Sequence, residues 1–174
     1  ELKANGKIDN SGTMVESHPN SALWSDMTAF IREKYPEDKF AFGFTKLPRE
    51  LIFRDKAVLF EYAIVVLKEM KKDKIDQAPE IAAGEEVMRV YASLGNAVND
   101  LAMWLRNKSV KALSNHPIRG LVVTPPLAGK AGLGWIGRNG LLITPEFGSR
   151  VRIAPVFVQN KIFEYTDNKT HRWV

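Results

Sequence analysis

Half of the chain's twelve glycines fall in residues 124–158, which read TPPLAGKAGLGWIGRNGLLITPEFGSRVRIAPVFV. Gly132, Gly134 and Gly137 match the pattern G-x-G-x-x-G, which in dinucleotide-binding folds follows a strand, opens a helix and precedes an acidic residue by about 20 positions. Here a proline pair separates the glycines from the strand predicted at 120–124, a β-type run follows them, and no acid stands at the required distance. The stretch therefore does not predict a dinucleotide site.

The same glycines predict a surface at which a ligand lies close to the main chain, because glycine has no Cβ and tolerates positive φ. Trp135 stands between two of them and offers a flat aromatic partner. This interpretation predicts that Gly134→Val removes ligand binding by steric exclusion and leaves the fold nearly intact.

Two strands are predicted in the second half of the stretch, residues 141–144 and 150–158, around a turn at 145–148 whose last residue is glycine. In the second strand Arg150 and Arg152 alternate with apolar residues, so one face carries two guanidinium groups and is a candidate anion site. The alternative is a half-buried hairpin with solvated arginines.

The run AGLGWIGRNGLLITPEFGSRVRIAPV resembles the signature shared by epoxyqueuosine reductases and cobalamin-dependent reductive dehalogenases. Its G-L-G-W-I-G part resembles the epoxyqueuosine reductase version, and the following G-R-N-G-L-L-I-T-P-E-F-G with the two arginines is closer to the dehalogenase version. The resemblance implies a nitroreductase-like core that binds cobalamin. The residues assigned to that cofactor are Thr124, Gly132, Leu133, Gly134, Trp135, Gly137, Arg138, Asn139, Arg150 and Arg152.

Families of this type also carry 4Fe-4S clusters, in a ferredoxin-like segment downstream of the signature. The chain has no cysteine and so cannot ligate such a cluster by thiolates. We therefore expect the clusters in a segment beyond residue 174. The expected organisation is an N-terminal arm at residues 1–20 and a cobalamin-binding domain at 21–174, truncated before the cluster domain.

The resemblance implies a different proton donor in each of the two groups of proteins. Epoxyqueuosine reductases place an aspartate just before the glycine-rich signature, where this chain has Val123. An orthodox epoxyqueuosine reductase is therefore not expected. The dehalogenases use a tyrosine, for which Tyr62 and Tyr91 are the candidates. The three histidines have no partner at a ligand spacing, so no metal site is predicted.

The predicted function is the corrinoid-binding domain of a cobalamin- and 4Fe-4S-dependent reductase. The alternatives are a flavin-binding nitroreductase-like oxidoreductase domain and a non-catalytic corrinoid carrier. In the parent protein the expected partners are an electron-donor protein and either a small-molecule substrate or tRNA. No apolar run is long enough to span a membrane, and no signal-like segment is present, which predicts a cytoplasmic protein.

The remaining pattern predicts an α/β (α+β) fold, with a mixed β-sheet covered by helices. Apolar residues at spacings of three and four predict helices, and short β-rich runs predict strands. Besides the strands already given, the predicted elements are helices at 21–34 and 79–113 and strands at 39–45 and 62–68, the last of these central in the sheet.

Overall fold

The computed structural model describes residues 21–166, so the predicted arm at 1–20 lies outside the described residues. The elements in chain order are α1 (Ser21–Lys34), β1 (Phe40–Lys46), a short 3-10 helix (Arg49–Leu51), β2 (Tyr62–Glu69), α2 (Lys72–Ile75), α3 (Ile81–Asn107), β3 (Ala112–Ser114), α4 (Thr124–Lys130), β4 (Trp135–Ile136), β5 (Leu142–Ile143) and β6 (Val151–Val158). The predicted class, helices packed on a β-sheet, is confirmed.

Four strands form one sheet in the order β1-β2-β6-β3. Every ladder is antiparallel, so the sheet is not of the mixed kind predicted. The prediction that β2 is central is confirmed, since β2 pairs with β1 on one side and with β6 on the other. Its six inner residues are all buried, as in a strand covered on both faces.

Two apolar clusters cover the two faces of the sheet. Helices α1 and α3 pack on one face, and Leu94, Leu101 and Leu105 of α3 are completely buried there. Helix α4 packs on the other face, where Leu127 is completely buried and Phe157 of β6 meets it in the same cluster. The sheet is therefore the middle of three layers.

The predicted hairpin of residues 141–144 and 150–158 is wrong. Strand β5 pairs with β4 in a separate two-stranded ribbon, and β6 pairs with β2 and β3. The turn between β5 and β6 is nevertheless closed by reciprocal backbone bonds between Thr144 and Gly148, and Gly148 has φ 60°. A long apolar strand such as β6 buries more surface in the centre of the sheet than beside a two-residue strand.

The long helix was predicted too long at its C-terminus. Helix α3 ends at Asn107, because Ser109 adopts φ 63° and the amides of Ser109 and Val110 bond back to the carbonyls of Arg106 and Leu105. This is a Schellman-type C-cap with serine in the left-handed position. The apolar residues that continued the pattern belong to β3.

The strand predicted at 120–124 is also wrong. Only one bridge, between Ile52 and Val122, occurs there, and α4 begins at Thr124. Pro125 and Pro126 occupy the first turn of α4, where a missing N–H costs no intrahelical hydrogen bond. The glycine pattern consequently follows a helix and enters a ribbon, in agreement with rejecting the dinucleotide site.

The ribbon explains why glycine is required at position 134, and it corrects the expectation for Gly134→Val. A Cβ there would lie 2.2 Å from the carbonyl oxygen of Ile143 on β5. The close approach is between two segments of the protein itself, so a larger residue disturbs the ribbon.

We predict that Gly134→Ala lowers the free energy of unfolding by about 1–3 kcal/mol, the usual cost of overpacking. The control is Gly84→Ala in α3, where a Cβ meets no atom within 4 Å. Alanine should stabilise that helix by about 0.5–1 kcal/mol. Urea denaturation measures both variants, and a Gly134→Ala protein as stable as the wild type would contradict the packing argument.

Candidate functional site

A cleft of about 650 Å³ opens where α2, the first turns of α3, the start of α4, β5 and the start of β6 meet. Its walls are mainly apolar, with Ile81, Val87, Pro125, Leu141, Val151 and Ile153 among the lining residues. Ile81 and Leu141 remain 79% and 49% exposed although they are large and apolar. A concave apolar surface of this size is typical of a small-molecule site.

Tyr91 and Arg152 meet in this cleft, the first from α3 and the second from β6. The guanidinium carbon of Arg152 lies 4.8 Å from the centroid of the Tyr91 ring, in a cation–π contact. The Nε atom of Arg152 is buried and has no hydrogen-bond partner among the described residues. Arg152 is also the only basic residue among those that line the cleft.

A buried charge cluster stands behind Arg152. Lys68 of β2 is directly opposite Arg152 in the β2–β6 ladder, so both side chains project from the same face. The Lys68 side chain is completely buried, and its Nζ atom donates to the Asp38 carboxylate at 2.5 Å. Asp38 also accepts hydrogen bonds from Ser93 and Arg89 of α3. The cluster therefore ties α3 to the sheet next to the cleft.

The environment of Asp38 favours its ionised form. Burial alone would raise its pKa, but the hydrogen bonds from Lys68, Ser93 and Arg89 outweigh burial and hold the pKa below the ordinary aspartate value. Burial lowers the pKa of Lys68, and the ion pair with Asp38 only partly opposes this shift.

Further acids and cations near the cleft are paired with each other. Arg89 donates to Glu86 through Nε and Nη2, and Glu86 also accepts the backbone N–H of Lys71. Hydrogen bonds from Arg89, together with the bond from Lys71, hold the pKa of Glu86 below its ordinary value despite burial. Arg150, a predicted cofactor residue, donates to the Glu69 carboxylate and to the carbonyl of Met70. Its charge is thus already matched within the protein.

The structure brings together only part of the predicted cofactor set. Thr124 and Arg152 line the cleft, whereas the remaining members are not among its lining residues. Gly132 has φ 74°, and the amides of Gly132 and Leu133 bond back to Gly129 and Ala128, so this glycine closes the C-terminus of α4. It has a structural role.

Leu133 lies just before β4 and packs against the second apolar cluster, and the members from Gly134 to Asn139 form β4 and the turn that leads to β5. A Cβ at Gly137 would lie 2.8 Å from the Ile143 side chain. Arg138 and Asn139 are exposed at the tip of the ribbon, where the Asn139 side chain accepts the backbone N–H of Leu141. Trp135 is half-buried on β4.

The two tyrosine candidates are separated by the fold. Tyr62 stands at the opposite end of β2 from the cleft, paired with Val158, and its ring stacks on Phe44 and Tyr165. Burial and the nearby Glu61 raise its pKa, against a weaker opposing hydrogen bond with Tyr165. Only Tyr91 of the pair reaches the cleft.

Val123 and His116 both precede the start of α4 in the chain. Val123, which stands where the epoxyqueuosine reductases are expected to carry an acid, is 38% exposed immediately before α4. His116, the one histidine in the described range, does not line the cleft. No cluster of potential metal ligands occurs among residues 21–166.

Sequence reasoning missed the cleft walls contributed by the first turns of α3, and it missed Lys68 and Asp38. The lysine that directly follows the apolar run 63–67 was a usable signal, because a charge in a buried strand requires a partner. The partner itself stands in the α1–β1 connection and could not be identified by spacing.

The chain is similar in sequence to a tetrachloroethene reductive dehalogenase from Dehalobacter restrictus, with 36% identity over 105 residues. That match covers 60% of this chain and 18% of the dehalogenase. A second tetrachloroethene reductive dehalogenase, from Desulfitobacterium hafniense, is 35% identical over the same length and coverage. The chain thus spans about a fifth of the length of these relatives. No protein-family model matches it.

The fold is also that of solved reductive dehalogenases. One of them, described with a mechanism for B12-dependent dehalogenation, superimposes with a TM-score of 0.74 at 18% identity, over 92% of this chain and 24% of the dehalogenase. An epoxyqueuosine reductase superimposes with a TM-score of 0.57 at 17% identity, over 83% of this chain and 47% of the reductase.

These findings support a relationship to the cobalamin-dependent reductase family. Within that family, the sequence match lies with the reductive dehalogenases, over 60% of this chain. Among the described residues, none of the helices combines the length and the apolar character needed to cross a bilayer.

The charge cluster generates a prediction about acid stability. Because the pKa of Asp38 is lower in the folded chain than its ordinary value of 3.8, the unfolded chain binds this proton first on acidification. The stability that Asp38 contributes is therefore present above about pH 4 and lost as the pH falls through the folded pKa. We predict that, below about pH 5, the free energy of unfolding of Asp38→Asn falls less with decreasing pH than that of the wild type.

At neutral pH the same variant should lose about 3–5 kcal/mol, because Lys68 is left buried without its counter-charge. The matched control is Asp26→Asn on the exposed side of α1. Urea denaturation at a series of pH values measures both variants. Equal acid limbs for Asp38→Asn and the wild type would refute the assigned role of the cluster.

Proposed function

We propose that this chain forms the corrinoid-binding part of a cobalamin-dependent reductase of the reductive dehalogenase type, and that the cleft at Tyr91 and Arg152 is part of its active site. The observation that carries the proposal is the contact between those two residues in an apolar cleft, in a chain whose sequence match lies with dehalogenases. The cleft volume is within the usual range for cofactor and ligand sites.

The residues of the cleft fit a large, flat and mainly apolar group that carries polar substituents. Aliphatic side chains such as Val87, Leu141 and Ile153 offer apolar contact. The buried Nε of Arg152 is a donor without a partner in the described part of the chain, and it is available to an amide, phosphate or other acceptor of a ligand. The cleft is open, so a larger ring can extend beyond it.

Cobalamin, when bound, would supply the low-valent cobalt that delivers electrons to the substrate, and the protein would bind and orient the reactants. Tyr91 is the proposed proton donor, because it is the tyrosine candidate in the cleft. Arg152, 4.8 Å from the ring, would stabilise the negative charge left on the phenol oxygen after proton transfer. The apolar walls would exclude water and favour a small, weakly polar substrate.

A small-molecule substrate is preferred over tRNA for two reasons. The cleft contains a single basic residue among its lining residues, whereas nucleic-acid binding requires several cations along a surface. The exposed Val123 also cannot act as the acid expected of an epoxyqueuosine reductase. We further propose that the parent receives electrons from a donor protein through 4Fe-4S clusters held outside residues 1–174. The nitroreductase-like core and the cytoplasmic location stay predictions.

The binding proposal is tested by titrating the chain with cob(II)alamin. Calorimetry measures the affinity, and electron spin resonance reports the coordination of the cobalt. We expect a base-off spectrum, because His116 does not line the cleft and no histidine was predicted to be a ligand. We expect Arg152→Ala to weaken binding about tenfold to a hundredfold, since a hydrogen bond to a charged donor contributes about 1.5–3 kcal/mol.

Two arginines provide controls for this titration. Arg138→Ala, at the exposed ribbon tip, should leave the cobalamin affinity unchanged. Arg150→Ala removes the ion pair with Glu69, so its main effect should be a lower unfolding temperature, with little effect on cobalamin affinity. Equal cobalamin affinity for Arg152→Ala and the wild type would remove Arg152 from the site. Binding of flavin mononucleotide in place of cobalamin would favour the flavin alternative.

The proton-donor assignment is tested in the full-length reductase of which this chain is the proposed part. Tyr91→Phe keeps the ring beneath Arg152 but removes the phenol proton. We expect it to lower kcat for reductive dehalogenation by about 100-fold or more, the usual contribution of a general acid, with cobalamin content unchanged. Tyr62→Phe is the control and should retain activity. Full activity of both Tyr91→Phe and Tyr62→Phe would contradict the assignment and favour another proton donor.

A further inference from the structure

Arg152 differs from the neighbouring cations in having no carboxylate partner. Among residues 21–166, Lys68 and Arg89 pair with Asp38, Arg89 also pairs with Glu86, and Arg150 pairs with Glu69. None of the ion pairs between described residues includes Arg152. A guanidinium beside a cluster of acids would ordinarily be drawn to one of them.

The position of Lys68 explains why Asp38 does not attract Arg152. Lys68 and Arg152 are directly opposed in the β2–β6 ladder, and side chains opposed in this way lie about 4.5–5.5 Å apart at Cβ. The Lys68 ammonium fills the space beside Phe40 and contacts Asp38 at 2.5 Å. Ser93 and Arg89 donate further hydrogen bonds to that carboxylate. Asp38 thereby accepts from three donors, and Arg152 is not one of them.

We propose that Lys68 is a positioning residue, which occupies Asp38 and thereby keeps the Arg152 guanidinium against Tyr91 and unpaired in the cleft. Lys68 is completely buried and does not line the cleft, so it acts through Arg152 and does not touch a ligand. The consequence for cofactor binding rests on the proposed function, but the position of Arg152 does not.

A merely structural role for the Lys68–Asp38 pair gives a different expectation from a positioning role. If the pair only holds α3 on the sheet, the single and double variants differ in stability, and the Arg152 guanidinium stays against Tyr91 in every folded variant. If Lys68 prevents Asp38 from capturing Arg152, Lys68→Met releases Arg152 towards Asp38. Lys68→Met combined with Asp38→Asn then restores Arg152, because no carboxylate remains to capture it.

The test is nuclear magnetic resonance of the Arg152 Nε–H and Cδ protons, which the ring current of Tyr91 shifts upfield at a 4.8 Å separation. Tyr91→Leu identifies these signals by removing the ring. We expect the upfield shift to disappear in Lys68→Met and to return in the Lys68→Met/Asp38→Asn double variant. The signal of Arg138, which is exposed at the ribbon tip, serves as an internal reference.

Thermal unfolding establishes that each variant is folded under the conditions of the spectra. Methionine preserves the unbranched shape of the lysine stem, and a neutral pair in place of a buried ion pair is often tolerated. If Lys68→Met does not fold, Lys68→Gln takes its place. An unchanged Arg152 shift in the folded single variant would overturn the proposal, and so would an equal loss of the shift in the double variant.

Cobalamin titration of the same variants separates this inference from the proposed function. Loss of affinity of about tenfold in Lys68→Met, with recovery in the double variant, supports both. If the Arg152 shift follows the expected pattern while no protein of the series binds cobalamin, Lys68 positions Arg152 as inferred and the proposed cofactor is wrong.

Discussion

The antiparallel pairing of β2 with β6 is the constraint on which the rest of the structure depends. Both strands are buried on both faces, so each residue of one strand is placed opposite a defined residue of the other. A shift of one residue would exchange the faces of every side chain and bury different groups. The register that buries Ala154 and Val156 under α3 also places Lys68 beside Arg152.

This register buries Lys68 in the sheet, and the residues that pair with Lys68 also position a wall of the cleft. A lysine in a central strand is costly unless it is paired, and Asp38 supplies the pairing with help from α3 through Ser93 and Arg89. The same hydrogen bonds hold the first turns of α3 in place, and those turns carry Tyr91 and form a wall of the cleft. Stability of the sheet and geometry of the cleft are therefore coupled through one buried cluster.

The glycine-rich signature has a structural role that its pattern did not indicate. Gly132 ends α4, and Gly134 and Gly137 allow the ribbon strands to approach each other, so these glycines shape the segment that places Leu141 and Leu142 in the cleft. A sequence signature can identify a family because its backbone conformation requires particular residues, even when not every one of them contacts the ligand. The side chains proposed to act on a ligand stand on α3 and β6 instead.

The sequence by itself determined the class of the fold, the extent of α1 and the centrality of β2. It did so because helical periodicity and a continuous apolar run are local properties of the chain. It also determined the relationship to cobalamin-dependent reductases, through an ordered run of residues, and it included Tyr91 and Arg152 among the candidates. Only the tertiary structure decided that these two meet, that Tyr62 and Arg138 stand apart from them, and that Arg150 is neutralised by Glu69. Strand pairing and ion pairing join residues distant in the chain, such as Asp38 and Lys68, and no local pattern specifies which distant partner a strand or a charge will find.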